Sequence, residues 1–415
     1  MAADMQAEMA LSGPLAGIKV VEVAMWAFVP SAGGILSDMG ADVIKLEPPA
    51  GDPIRGLVTG ADVPGSAQGF VLSWENYNRG KRSVTLDLHV EGAIDVLHQM
   101  LEKADVFLTS LLPASRRRLG IDVDAIRARH PTLIYAVGSG TGAHGPDAEK
   151  GGYDAITFWA RGGVSDAVTP PEQPYPLPMP SGAFGDTTSG MALAGGICAA
   201  LYKRATTGEP SVVDVSLLGT SMWSMQRTIT EATLRGVPTL PRHGRTALPN
   251  PLVNTYRTSD DRYLALCMLQ GQRYWPDFCK AVGHEALAAD PRFATGESRA
   301  ANIDECVTII DAIFATGTLE HWKAALATQD GQWDVVQKAG ELHRDAQVEA
   351  NGMMQEVDYG DGRSLKMVSA PMQFDRAALI ARPAPEKGAH NDVVLAELGY
   401  DEDAILDLKV AGVVY

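Results

Sequence analysis

The 415-residue chain has little cysteine and little positive charge: four Cys, and 35 Lys and Arg against 51 Asp and Glu. Cys198, Cys267, Cys279 and Cys306 form no CxxC pair and no spacing with histidine that reads as a zinc site. Disulfides and a metal centre are therefore not expected, and the thiols read as reduced and buried. A net charge of −16 and a pI near 5.0 exclude nucleic acid or an anionic membrane as the general partner. Any anionic ligand must then be met by a local basic pocket. No apolar run approaches the ~20 residues of a membrane span, and "MAADMQAEMALSGP" carries Asp4 and Glu8 where a secretory signal needs positive charge. The chain reads as cytoplasmic. None of the nine histidines belongs to an HExxH, and His98, on a helical stretch, reads as a surface or packing residue. Tandem repeats are absent.

What is present is a sizeable core: 46% of residues are hydrophobic and 42 are glycine, at a length that suits two or three domains. Residues 18–23, 42–47, 82–88, 105–111, 132–137 and 211–216 read as short strands, separated by helical patterns. Buried parallel strands account for such apolar runs, and right-handed crossovers restrict the topology to an open, doubly wound sheet. The expected fold is α/β, with a discontinuous Rossmann-like large domain over 12–225 and a linker at 226–250. A smaller α+β domain is expected over 251–340, and 341–415 should return to the large domain.

"GSGTGAHG" satisfies GxGxxG at Gly140, Gly142 and Gly145, yet no helix opens at the third glycine, so it reads as a loop. "GAFGDTTSG" sets one carboxylate, Asp186, ahead of an apolar helical run. A carboxylate there can cap the helix, as Thr187 also can, or act as base or nucleophile. No second acid or His follows at helical spacing, which weakens a metal reading. Local sequence favours the cap. Gly182, Gly185 and Gly190 argue the other way, by leaving room for a ligand near the backbone and donors for an oxyanion.

Ordered blocks then bear on the choice: "LAGIKVVEVA", "LSDMGADVIKLEPPAGDPIR", "NYNRGKRSVTLDL", "RRRLGID", "GGYDAI", "GDTTSGMALAGGICAALYKRATTGEPSVVDVSL" and "GAHNDVVLAELGY". With them the chain, from about residue 12 to its C-terminus, resembles the class III CoA-transferases. That family also contains α-methylacyl-CoA racemase. The resemblance implies that Asp186 is a nucleophile, forming a mixed anhydride with the acyl group and then an enzyme thioester with CoA. It implies an interlocked homodimer whose substrates are an acyl-CoA and a carboxylic acid, with coenzyme A a substrate and no tightly bound cofactor. The CoA contacts it implies fall on Ala27, Phe28, Leu86, His89, Ser110, Leu111, Leu112, Arg118, Gly151, Tyr153 and Asp154, with Arg55 as a phosphate partner.

Each basic group also has a plainer reading, Arg116 to Arg118 as a solvated helix turn and Arg79, Lys81 and Arg82 as a surface patch. Pro48, His89 and Ser110 depart from the family pattern. So does "RTALPNPLVN", which lies where a relative has a glycine-rich closing loop. The racemase branch has a His at Tyr153, and a phenol is a poor acid–base group near neutrality, so acyl transfer is preferred. Two alternatives stay open, an acyl-CoA racemase or isomerase and a CoA-binding protein without chemistry. Trp26, Phe28, Phe158, Trp159, Met179 and Trp223 are either a hydrophobic acyl pocket or core.

Overall fold

The computed structural model describes residues 13–57, 69–241 and 244–415. The targeting expectation for the N-terminal stretch falls on residues 1–12, and that part of it lies outside the described residues; Arg242 and His243 of the expected linker do too.

Six parallel strands make one sheet: β1 (Lys19–Val23), β2 (Asp42–Glu47), β3 (Arg82–Thr85), β4 (Val106–Thr109), β5 (Ile134–Ser139) and β6 (Val212–Ser216). Their order, β3-β2-β1-β4-β5-β6, places the topological switch between β1 and β4. Two strands end earlier than their apolar runs. Leu86 bridges Val414 and the Asp87 N–H donates to the Val413 carbonyl, so β3 stops at Thr85. In β4 the Thr109 hydroxyl donates to the Val23 carbonyl and accepts from the Leu111 N–H, replacing the ladder with a side-chain turn.

Side chains alternate across the sheet and supply two cores. Val20, Val43, Val106 and Ile134 face α1 (Phe28–Asp38) and the long helix Phe184–Thr207, while Val21, Ile44, Phe107 and Tyr135 face Ala93–Glu102 and 394–414. The strands are not apolar throughout, as the sequence predicts. Glu22, Lys45 and Glu47 are fully buried at the carboxyl ends of β1 and β2, where Glu22 and Lys45 are register partners.

Contacts divide the chain into two compact units, residues 1–238 with 346–415, and residues 239–345. The second has its own core around Trp275, Phe278, Phe314 and Trp322, under an antiparallel sheet of Val253–Arg257, Tyr263–Cys267 and Trp333–Val335. The expected linker begins too early at 226, because the Gln226–Arg235 helix continues the Leu217–Ser224 helix and ends only at Gly236, in the left-handed region. Cys279 and Cys306 are buried, Cys198 is half-buried, and Cys267 is exposed because its strand alternates, which corrects the expectation of four buried thiols. Among the described residues no helix is long and apolar enough to cross a membrane.

Candidate active site

Asp186 does not cap its helix. The helix begins at Phe184, so Asp186 is its third residue, and the cap position is Ala183, in the left-handed region at φ 58° with no side-chain bond to offer. The orphan amides of that first turn are met from another loop. Asp154, buried after β5, accepts the Gly185 N–H on Oδ2 at 2.9 Å, and the Asp186 N–H also stabilises its carboxylate. A π-helical segment, Ala155–Arg161, follows Asp154 directly.

Gly185 and Gly190 serve this packing rather than a ligand. A Cβ on Gly185 would lie 2.2 Å from the Phe158 ring and 2.5 Å from Asp154 Oδ1, and one on Gly190 would lie 1.9 Å from Ser31 Oγ. Gly182 alone of the three faces open space. The Gly185 N–H, expected as an oxyanion donor, is already engaged by Asp154.

Among the described residues the Asp186 carboxylate has no hydrogen bond and no ion pair. Burial, and then the neighbouring Asp154 charge, push its pKa from 3.8 up to about 7. Burial also raises Asp154, against its two amide bonds. A carboxylate that is poorly solvated, unpaired and poised near neutrality at a helix amino end is suited to act as a nucleophile or base.

Several of the sequence-predicted residues converge here, at the carboxyl ends of the strands and beside the switch point. The Met25 N–H donates to Ser110 Oγ at 3.1 Å, joining the loops after β1 and β4. A Cβ on Gly151 would lie 3.9 Å from Leu112 Cδ2, so the loops after β4 and β5 adjoin. Trp26 meets Tyr153 edge to face at 5.7 Å. Leu112, Tyr153, His89 and Arg118 are exposed, Leu111 is half-buried, and Ala27, Phe28, Leu86 and Asp154 are buried. Leu86 and His89 follow β3, the edge strand two places from β1. Of the aromatic pocket candidates, Phe28, Phe158 and Trp159 are core, Met179 packs against it, and Trp223 is 71% exposed on the Leu217–Ser224 helix.

The basic residues separate sharply. Arg55 gives both forks to Glu47, at 2.7 Å each, and stacks on Trp74. Arg79, Lys81 and Arg82 are not a surface patch. Arg79 is paired with Asp38, Lys81 with Glu22, and Arg82 with Asp42 and Glu397. Within the triplet Arg116 reaches the Tyr135 hydroxyl and Arg117 binds Glu149 through both forks, which leaves Arg118 exposed and without a charge partner among the described residues.

Sequence reasoning missed a buried ionic cluster that holds the loop after β1. Lys45 Nζ lies 3.1 Å from Glu22 Oε1, 2.9 Å from Asp52 Oδ2 and 2.7 Å from the Ala24 carbonyl. Burial opposes the Lys45 charge, but Glu22 and Asp52 together outweigh it and raise its pKa. Burial depresses Lys81 to about 8, against the pull of Glu22 at 2.8 Å. The signal was available in strands spelled "VVEV" and "DVIKLE", whose charged residues share one face of neighbouring strands. Elsewhere His98 takes the packing role of its two readings, buried with Nδ1 2.9 Å from His130 Nε2.

Comparison with known proteins gives a consistent result. A family model described as CoA-transferase family III matches residues 15–391. The chain is 33% identical over 402 residues to a (R)-2-hydroxy-4-methylpentanoate CoA-transferase of Clostridioides difficile, covering 96% of this chain and 99% of that one. It is 32% identical to a cinnamoyl-CoA:phenyllactate CoA-transferase of Clostridium sporogenes, over 95% of each. Among solved structures, a CaiB/BaiF family protein from Brucella suis superposes with a TM-score of 0.79 at 28% identity, covering 93% of this chain and 99% of that one.

Proposed function

The chain belongs to CoA-transferase family III, and we propose that its transfer of CoA from an acyl-CoA to a carboxylic acid runs through Asp186 as a covalent nucleophile. The observation that carries this reading is the unpaired carboxylate with a pKa raised to about 7, at the amino end of a long helix. One Asp186 oxygen attacks the thioester carbonyl and the CoA thiolate leaves, giving an aspartyl–acyl anhydride. The thiolate then attacks the Asp186 side-chain carbonyl and expels the acyl group as a carboxylate, leaving an enzyme–CoA thioester. An acceptor carboxylate attacks that thioester, and the released thiolate attacks the acceptor's carbonyl, giving the new acyl-CoA and free Asp186. Each intermediate is as activated as the thioester it replaces, so no ATP is required. The helix amino end favours the charge that develops at each tetrahedral stage.

Asp154 holds the first turn of that helix from outside it, which fixes where the nucleophile stands. CoA lies across the loops after β1, β4 and β5, at the switch point where doubly wound sheets take their ligands, and its phosphates are met by Arg118. Arg55 is spoken for by Glu47, so it supports the loop rather than the phosphates. The active species is a homodimer. Large apolar side chains on neighbouring helices of the first unit stand open, among them Tyr202 at 73%, Trp223 at 71% and Leu234 at 86% exposure. A stable 44.2 kDa species by light scattering would overturn the dimer.

The covalent route is tested by incubation with acyl-CoA thioesters, trapping with hydroxylamine or borohydride, and peptide mass spectrometry. Modification is expected at Asp186 and lost in Asp186→Ala. Full turnover by that variant would overturn the reading.

A further inference from the structure

Three aromatic side chains with part of their surface open lie on the turn that carries Asp186 or on the loops packed beside it. Phe184 opens its helix and is 41% exposed, while Tyr153, directly before Asp154, is 58% exposed. Trp26 packs in one cluster with Ala183 and meets the Tyr153 ring at 5.7 Å and 86°. Its backbone is unusual. At φ 70° Trp26 lies in the left-handed region, which a bulky side chain rarely enters unless its surroundings hold it there. Those surroundings are visible: the Trp26 N–H donates to Asp52 Oδ1 at 3.1 Å, and Asp52 is locked by Lys45 at 2.9 Å. The buried ionic cluster thus fixes one indole ring against Tyr153, the residue before Asp154, and in one cluster with Ala183, at the cap position of the Asp186 helix.

Among the described residues, the cations on the neighbouring elements are already engaged. Lys45, Lys81, Arg55 and Arg161, on the elements nearest the site, are each held by a carboxylate of the chain. Among the described residues no positive group acts on Asp186; only burial and the Asp154 charge do. A second carboxylate brought in with the acyl group would face two acids and three aromatic rings, desolvated and unpaired.

We propose that Trp26, backed by Tyr153 and Phe184, determines acyl specificity, selecting monocarboxylic acids with a branched or aromatic hydrocarbon body and rejecting dicarboxylic acids. This rests on Asp186 being the acyl-accepting group. An indole edge-on to a phenol presents flat apolar surface to such a body and nothing to a distal charge.

The test follows CoA thiol release in hydroxylamine from 3-phenylpropanoyl-CoA and from succinyl-CoA, with mass spectrometry of Asp186. Wild-type kcat/KM should favour the phenylpropanoyl thioester by roughly 100-fold or more, the scale on which a desolvated, unpaired polar group is rejected. Trp26→Gly keeps the left-handed backbone and removes the ring. It should lower kcat/KM for phenylpropanoyl-CoA about 10- to 100-fold, mainly through KM, and that for succinyl-CoA, which carries the same CoA moiety, far less. Trp26→Phe should recover most of the loss. Tyr153→Ala, at an exposed position, should give a smaller loss in the same direction and keeps the test open if the Trp26 variants misfold. Use of succinyl-CoA within a few-fold of phenylpropanoyl-CoA, or an unchanged ratio in the variants, overturns the proposal while leaving the Asp186 reading intact. Turnover without any label on wild-type Asp186 overturns that reading, and this proposal with it.

Discussion

Replacing Asp186 with Asn should make the folded protein more stable, and only above acid pH. The carboxylate's pKa is raised by folding from 3.8 to about 7, so between those values the folded state binds more protons than the unfolded one. Stability attributable to this group is therefore greatest below pH 4, falls as pH rises through 4 to 7, and is lowest above 7. At about 1.4 kcal/mol per unit, roughly three units set a ceiling near 4 kcal/mol. The carboxylate is partly exposed, and the helix amino end returns up to ~1 kcal/mol to the charged form. An expected gain of about 1–3 kcal/mol at pH 8 remains. Asn keeps the shape and removes the charge, so the gain should appear in the urea midpoint at pH 8 and shrink markedly at pH 5. A variant less stable than wild type at pH 8 would show that the charge is satisfied in the fold. An equal gain at both pH values would show that the charge is not its source.

Activity should follow the opposite sense, since only the ionised carboxylate attacks: kcat/KM should rise with pH through an apparent pKa near 7. Asp154→Asn keeps an acceptor for the Gly185 N–H but removes the neighbouring charge, so that limb should move toward lower pH; an unmoved limb would mean that the two acids do not interact. Glu22→Ala leaves Lys45 and Lys81 buried without their shared partner and should cost about 3–5 kcal/mol by urea unfolding. Gly185→Ala drives a methyl into Phe158 and should cost about 1–3 kcal/mol and weaken acyl-enzyme formation, because it shifts the turn that carries Asp186; a fully active variant would contradict the packing.

The sheet was legible because its strands are short β-branched runs separated by helical patterns, a local signal that burial reinforces. The order of the strands is consistent with that alternation. The helix start was misjudged because Asp, Thr and Gly after residue 185 look like cap chemistry, whereas the true cap is supplied by Asp154, 31 residues away in sequence. No local pattern announces a cap delivered from another loop. The buried charges were missed for a related reason. Glu22 and Lys45 read as breaks in separate strands until the register sets them side by side. Arg118 was already named by the resemblance, and the structure adds only that its two neighbours are engaged by Tyr135 and Glu149. Gly185 and Gly190 of "GAFGDTTSG" read as room for a ligand, but the bulk they avoid is the protein's own.

The ties between residues 382–415 and the sheet bear on the order in which the molecule is made. Arg382 reaches Ser37, the Pro385 carbonyl accepts from Trp74 and Arg55, Asn391 takes the Thr85 N–H, and Val414 bridges Leu86. A ribosome that has just finished residue 238 has made all six strands, but none of the segment that closes their β3 edge. The unit of residues 239–345 is contiguous and can fold as it emerges. At ~5–20 residues per second, the sheet that carries Asp186 waits on the order of ten seconds or more with that edge bare. For that interval the nascent chain is open to strand-pairing errors, and chaperone demand during expression should peak there rather than at its first residues.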